Sequence, residues 1–137
     1  MYLAPQPKRY AKNMSFKVKL RSWIESNIEE ARPSKFEGLV FNLIENQGAY
    51  HIEFVCTDAF DMNDPDWACE EAFAPNIRSI KIPQDIHGDT YDQCIGYTAD
   101  LLDELSSESQ IIGDFFNQLR GVGLGFVDGD LRILREA

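Results

Sequence analysis

Two short apolar runs separated by a turn signal constrain the fold of this chain more than any other feature. The first run is Leu39–Ile44 and the second is Tyr50–Val55. Both are rich in the aliphatic and aromatic residues that favour strands. Asn46-Gln47-Gly48 lies between them and is typical of a tight hairpin turn. The sequence therefore predicts an antiparallel β-hairpin, with alternate side chains of the second run on a core.

Three other segments have the apolar spacing of amphipathic helices. The first covers residues 15–31, with Ser15 as its N-cap and Pro33 ending it. The second follows Asp89 or Thr90, either of which is a suitable cap. The third covers about residues 108–119. Each helix has one apolar face and needs a sheet or another helix to cover it.

The remaining segments complete a mixed pattern of helices and strands. Strands are predicted at Arg78–Pro83, Leu124–Val127 and Leu131–Leu134, and Asp128-Gly129 joins the last two as a hairpin. Trp67–Phe73 is expected to form a short helical turn capped by Asp66. This order predicts a single α+β domain over residues 14–137, with an antiparallel or mixed sheet of about five strands and three helices packed on one face. Residues 1–13 are predicted to be an extended basic arm.

The charge distribution is strongly uneven. The net charge is −10, and residues 36–77 contain nine acidic residues but no Lys or Arg. Six of the nine lie in one segment, called here the acidic loop (residues 58–71): Asp58, Asp61, Asp64, Asp66, Glu70 and Glu71. Carboxylates this dense are solvated, hold a cation, or face a basic partner. The acidity argues against nucleic acid and anionic membranes as ligands.

The cysteines and apolar runs indicate the compartment. Cys56, Cys69 and Cys94 are odd in number and show no CxxC spacing, which argues against a disulfide framework or a zinc ribbon. The chain shows no signal-peptide pattern and no apolar run of about 20 residues. We therefore expect a cytoplasmic protein without a membrane span, and nothing in the sequence indicates a cofactor.

The acidic loop does not match the sequence pattern of an EF-hand calcium-binding loop. An EF-hand needs oxygen ligands at alternate positions, Gly at the sixth and Glu at the twelfth. Counting from Asp61, the fifth position is Pro65, the sixth is Asp66 and the twelfth is Ala72, so the pattern fails. A less regular cation site formed by Asp61, Asp64 and Asp66 stays open as an alternative.

Gly121, Gly123 and Gly125 resemble a phosphate-binding loop only superficially. A phosphate loop opens a helix, whereas these glycines follow a helix and open a strand. We interpret Gly121 as a helix C-cap, and the other two as sites of tight strand packing.

The other candidates for chemistry are few. His51 and His87 lie in no ligand motif. Cys56 and Cys69 are expected to be buried and inert, and Cys94 lies on the apolar stripe of its helix.

Trp67 has two possible roles. An aromatic residue surrounded by charges is a common interface anchor. The alternative is a core residue that packs a short helix on the sheet, and this is the interpretation we favour for the indole, with the acids left outside.

Three segments together suggest a family. They are Phe41-Asn42-Leu43-Ile44-Glu45, then Asp64-Pro65-Asp66-Trp67-Ala68-Cys69-Glu70-Glu71, and then Gly123-Leu124-Gly125-Phe126-Val127-Asp128-Gly129-Asp130. The chain resembles small, acidic, uncharacterised bacterial proteins, some of which look like immunity proteins of polymorphic toxin systems. This resemblance implies a protein that binds another protein and has no catalytic activity. It also fits the acidity of the chain, because immunity proteins are often acidic to match basic toxins.

The sequence thus supports one main hypothesis and two alternatives. The main hypothesis is a non-enzymatic protein-binding module that engages a basic protein through Asp58, Asp61, Asp64, Asp66, Trp67, Glu70 and Glu71. The first alternative is a small cation-binding or metal-dependent domain that uses the carboxylates of residues 58–71. The second is a structural protein whose acidity serves solubility. The oligomeric state stays open.

Overall fold

The computed structural model describes the backbone of residues 8–136 and the side chains of residues 14–84 and 87–136. The elements follow in this order: α1 (Lys8–Ala31), β1 (Gly38–Asn46), β2 (Ala49–Thr57), a 3-10 helix (Pro65–Cys69), β3 (Glu71–Phe73), β4 (Ser79–Ile82), the single turn α2 (Gln84–His87), α3 (Tyr91–Glu108), α4 (Gln110–Gln118), β5 (Gly121–Phe126) and β6 (Arg132–Glu136).

The strands of the described chain form one mixed six-stranded sheet in the order β3-β2-β1-β5-β6, with β4 also paired to β2. β3 pairs with the end of β2 at Cys56 and Thr57, and β4 pairs with its beginning, from Tyr50 to Glu53. β1 and β5 are parallel, and the other pairs are antiparallel. The predicted α+β class is confirmed, with six strands instead of about five.

The three long helices cover one side of the sheet, called here the helix face. It carries Leu39, Phe41 and Leu43 of β1, which are fully buried. Phe41 contacts Phe54 edge-to-face, with ring centroids 5.8 Å apart. The main buried partners from the helices are Phe16, Leu20, Ile24 and Ile28 of α1, Leu102 and Leu105 of α3, and Phe115 and Phe116 of α4. Burial of each such side chain is worth about 1.5–3 kcal/mol, which makes this layer the main core.

The opposite side, called here the loop face, holds a second and smaller core. It consists of Val40, Val55 and Trp67, with Phe60 and Leu131 packed beside them. None of the three long helices contributes a described side chain to this second core. The acidic loop itself supplies the cover, because its two aromatic rings lie on the sheet.

Glycines on the loop face allow this close approach. A Cβ on Gly38 would lie 2.7 Å from Cζ3 of Trp67 and 2.5 Å from Oγ1 of Thr57. A Cβ on Gly123 would lie 3.2 Å from Cζ2 of the same indole, and one on Gly121 would overlap the Phe60 ring. The interpretation of Gly123 as a site of tight packing is therefore confirmed. Gly121 was wrongly assigned as a C-cap, because Leu119 ends α4 and Gly121 begins β5.

The central hairpin is formed as predicted. Asn46 is paired with Ala49, so Gln47 and Gly48 form a two-residue turn. Both have positive φ, 54° and 76° respectively. This is the geometry of a type I′ turn, whose twist matches that of the strands.

Two predicted segments were wrong. Residues 8–13 were expected to be extended, but their backbone continues α1, because Lys8–Asn13 contains good helix formers and no proline. Residues 1–7 of the predicted arm lie outside the described part. The helical turn expected at Trp67–Phe73 begins earlier, at Pro65, and its last residues instead form β3 on the edge of β2.

Side-chain caps fix the start of α3 and its junction with α4. Thr90 accepts from the backbone N–H of Gln93 and forms a capping box at the start of α3. Ser109 ends α3 and caps α4, since its Oγ accepts from Ile112 N at 3.2 Å. The same hydroxyl donates to Glu25 Oε2 at 2.6 Å and joins the junction to α1. This hydrogen bond, assisted by Arg21, holds the pKa of Glu25 below its ordinary value.

We expect Gly38→Ala to lower the free energy of unfolding by about 1–3 kcal/mol, because the added methyl group displaces the Trp67 ring or Thr57. Urea denaturation followed by tryptophan fluorescence measures the loss. The matched control is Gly96→Ala in α3, where a Cβ meets no atom within 4 Å. This control should raise stability by about 0.5–1 kcal/mol. Wild-type stability in Gly38→Ala would contradict the packing described.

We expect Ser109→Ala to destabilise by about 1 kcal/mol through the lost cap, with a further loss that depends on pH. The pKa of Glu25 is depressed in the folded state, so its contribution is present above its ordinary pKa and disappears as the pH falls through the folded value. The loss of stability caused by Ser109→Ala should therefore be smaller at acid pH than at neutral pH. Thr90→Ala is the control, because its partner Gln93 does not titrate, and its penalty should not change between neutral and acid urea titrations.

Candidate functional site

The acidic loop crosses the loop face and is fixed at both ends. It leaves β2 at Thr57 and returns to the edge of the same strand at β3. Asp58 N donates to Glu70 O at 3.3 Å, which closes the loop. Between these ends, the rings of Phe60 and Trp67 contact each other with centroids 4.9 Å apart. The loop is therefore a closed, anchored segment.

Short-range hydrogen bonds order the interior of the loop. Asp61 Oδ1 accepts from Asn63 N at 2.9 Å, and Asp64 Oδ1 accepts from Asp66 N at 3.0 Å. The second contact makes Asp64 the N-cap of the 3-10 helix, with Pro65 in its first turn. Asp66 was predicted as the cap and instead lies inside the helix. Its carboxylate is exposed beside the first turn, where negative charge is favourable.

Five of the six acids of the loop have no cationic partner among the residues whose side chains are described. Asp58, Asp61, Asp64, Asp66 and Glu70 are all exposed, and none forms a salt bridge with any described residue. Such an unneutralised set creates a negative potential above the loop face.

Glu71 is the exception. Arg78 binds both of its carboxylate oxygens, with distances of 2.6 and 3.0 Å, and also donates to Glu53 at 2.9 Å. The hydrogen bonds from Arg78 lower the pKa of Glu71. The two carboxylates in turn raise the pKa of Arg78. Glu71 therefore belongs to a structural ion-pair network that ties β3 to β2.

Trp67 is a core residue in this structure. Its side chain is 3% exposed, so the ring has no surface to offer a partner in this conformation. Its Nε1 is buried and has no hydrogen-bond partner in the described chain. Trp67 therefore positions the acids around it and does not form an exposed anchor.

The sheet also brings residues to the loop that sequence reasoning missed. A cavity of about 380 Å³ beside the loop is lined by Phe60, Asp61, Met62, Arg120 and Glu136. Arg120 Nη1 lies 3.5 Å from Glu37 Oε2. Arg120 directly precedes β5, Glu136 ends β6 and Glu37 directly precedes β1. No local pattern could have joined them, because the juxtaposition depends on the parallel pairing of β1 with β5.

The carboxylates do not converge on one point. Among the described residues, no group of three or more His, Cys, Asp or Glu side chains has a geometry suited to a metal ion. Asp61 and Asp64 each direct one oxygen to the backbone of the loop. The arrangement spreads negative charge over a surface and does not form a coordination sphere.

Cys56 and Cys94 are buried and lie outside the acidic loop. Burial raises the pKa of the Cys56 thiol to about 12 and that of Cys94 to about 11, so both are protonated at neutral pH. Cys69 was expected to be buried but is exposed at the end of the 3-10 helix. His87 is buried against Tyr50, with ring centroids 4.2 Å apart, and its Nδ1 lies 2.7 Å from Gly88 O.

Comparisons of the chain with protein-family models, with curated proteins and with solved structures found no match. Of the described helices, none combines the length and hydrophobicity of a bilayer span.

Because the loop acids diverge, we expect no saturable heat when calcium, magnesium or manganese is titrated into the protein at millimolar concentration in a calorimeter. A weak, non-saturating signal that disappears at high salt fits counterion screening. Saturable binding that is lost in Asp61→Asn and kept in Asp114→Asn, an exposed acid of α4, would contradict the divergent geometry and favour a cation site.

Proposed function

We propose that this protein is a non-enzymatic binding module that engages a basic protein through its acidic loop. The observation that carries the proposal is a set of five exposed carboxylates that form no salt bridge with any described residue, on a loop anchored by the rings of Phe60 and Trp67. The proposed contact residues are Asp58, Asp61, Asp64, Asp66 and Glu70, with Trp67 supporting them from below and Glu71 at the margin.

The anchored loop supports this proposal energetically. A flexible loop must be ordered when it binds, and each immobilised side chain or segment reduces the affinity. Here the backbone between Asp61 and Trp67 is already ordered by the bonds Asp64 N to Asp61 O, at 3.2 Å, and Trp67 N to Asp64 O, at 3.4 Å. A partner therefore meets a surface whose shape is fixed in advance.

The negative charge of the loop favours a positively charged partner. Opposite charges steer two proteins together and raise the association rate, and this advantage falls as salt is added. Residues 36–77 contain no base, and Arg78, the first base after them, is occupied by Glu53 and Glu71. Among the described residues, Asp58, Asp61, Asp64, Asp66 and Glu70 form no salt bridge, so the loop presents negative charge to which a basic partner is complementary.

The resemblance to immunity proteins suggests a narrower form of the same proposal. In that form the partner is a toxin with a basic surface or a cationic active site, and the acidic loop covers that site. The uneven charge of the sequence supports this version. The broader proposal does not depend on it.

We expect the triple variant Asp61→Asn, Asp64→Asn, Asp66→Asn to lose partner binding while it keeps its fold. Asn preserves the size and the local hydrogen-bond acceptors of Asp and removes the charge. The measurement is a pull-down from native lysate with the immobilised protein at low and high salt, followed by mass spectrometry. Wild type should retain a basic protein at low salt and release it at high salt.

The control variant carries the same charge change elsewhere. Asp92, Asp114 and Asp128 are exposed and form no ion pair in the described chain, so their triple replacement by Asn alters net charge equally. It should retain the partner. Equal loss in both variants would show that only net charge matters, and equal retention would show that the loop is not the interface.

A further inference from the structure

A groove on the helix face lies between α3 and β6, away from the acidic loop. Its volume is about 300 Å³. Leu102 and Phe116 are among the residues that line it and are buried, whereas Leu134 of β6 is half-buried. The groove is therefore partly apolar and open to solvent along its length.

The two walls of this groove carry opposite charges. Asp100 and Asp103 line it from α3, and Arg132 and Arg135 line it from β6. All four side chains are exposed, and none of them forms a salt bridge with a residue of the described chain. By contrast, two other acids of α3 are paired: Lys17 of α1 lies 3.0 Å from Glu104 and 2.9 Å from Glu108. The groove thus keeps two acids and two bases apart.

We propose that this groove is a self-association surface whose partner is a second copy of the chain. A surface with its positive charges on one side and its negative charges on the other is complementary to itself under a two-fold rotation. The rotation places Arg132 and Arg135 of one copy against Asp100 and Asp103 of the other, twice. The half-buried Leu134 of each copy then faces the other copy across the groove.

The packing is through side chains and not through strand addition. β6 is an edge strand, but its pairing with β5 shifts register between Val122 and Gly123. Such a bulge twists an edge and discourages pairing with another strand. The proposed dimer contact therefore depends on the charged side chains of the two groove walls. Mutation can reverse the charge of each wall.

The test uses charge reversal of each wall in the full chain. Sedimentation velocity from about 1 µM to about 200 µM should show wild type passing from monomer to dimer. R132E/R135E makes both walls negative, and D100K/D103K makes both positive. Each variant alone should weaken dimerisation by roughly tenfold or more, because like charges then face each other across the axis.

Mixing the two variants provides the decisive measurement. An all-negative groove and an all-positive groove are complementary, so the equimolar mixture should form a heterodimer, identified by its mass in native mass spectrometry. K19E/K81E is the control for the first variant, because these exposed lysines lie outside the groove and the net charge changes equally. It should dimerise like wild type, and circular dichroism checks that every variant is folded.

Three results would overturn the proposal. They are a wild type that stays monomeric up to about 200 µM, a wild-type dimer that survives both reversals, and a mixture that forms no heterodimer although both variants are folded. If the reversed variants fail to fold, the neutral pair D100N/D103N and R132Q/R135Q takes their place, and each must then weaken the dimer for the proposal to stand.

Discussion

The contact of Trp67 with the bare backbone of Gly38 and Gly123 determines the loop face of this protein. Without side chains at these glycines, the indole lies on the sheet and covers Val40 and Val55. Acidic residues lie within four positions of the ring on both sides, and they stay exposed while the ring is buried. A single packing interaction therefore closes the second core and also creates the charged surface. Hydrophobic burial is the driving force, and the position of the acids is its consequence.

Features determined by neighbouring residues could be predicted from the sequence, whereas those determined by distant pairing could not. The hairpin turn at Gln47 and Gly48 and the Thr90 cap depend on residues within a few positions, and the structure has both. The parallel pairing of β1 with β5 joins segments far apart in the chain, and no local pattern encodes it. β3 was missed for the same reason. Glu71–Phe73 has little strand propensity and becomes a strand because the edge of β2 is available to it.

In the candidate site too, features set by neighbouring residues could be predicted, whereas those set by distant pairing could not. Exposure of the six acids follows from their density and polarity, and burial of the indole follows from its size. The capture of Glu71 by Arg78 was not predictable, because the sequence shows a base after the acidic loop but not the pairing of β4 that brings it back. Glu37 and Glu136 likewise reach the neighbourhood of the loop only through the sheet. Charge density along a sequence therefore overstates the charge that remains unneutralised in space.

The two proposed surfaces differ in the charges they carry, and this difference decides which partners they admit. The acidic loop has one sign of charge, so two copies repel each other there, and the partner that we propose for it is basic. The groove between α3 and β6 carries Asp100 and Asp103 against Arg132 and Arg135, so its own copy is complementary to it. The sheet separates the two surfaces, and occupation of the groove leaves the loop open. In the two proposals, the same Coulomb interaction thus favours a foreign partner at one surface and a second copy of the chain at the other.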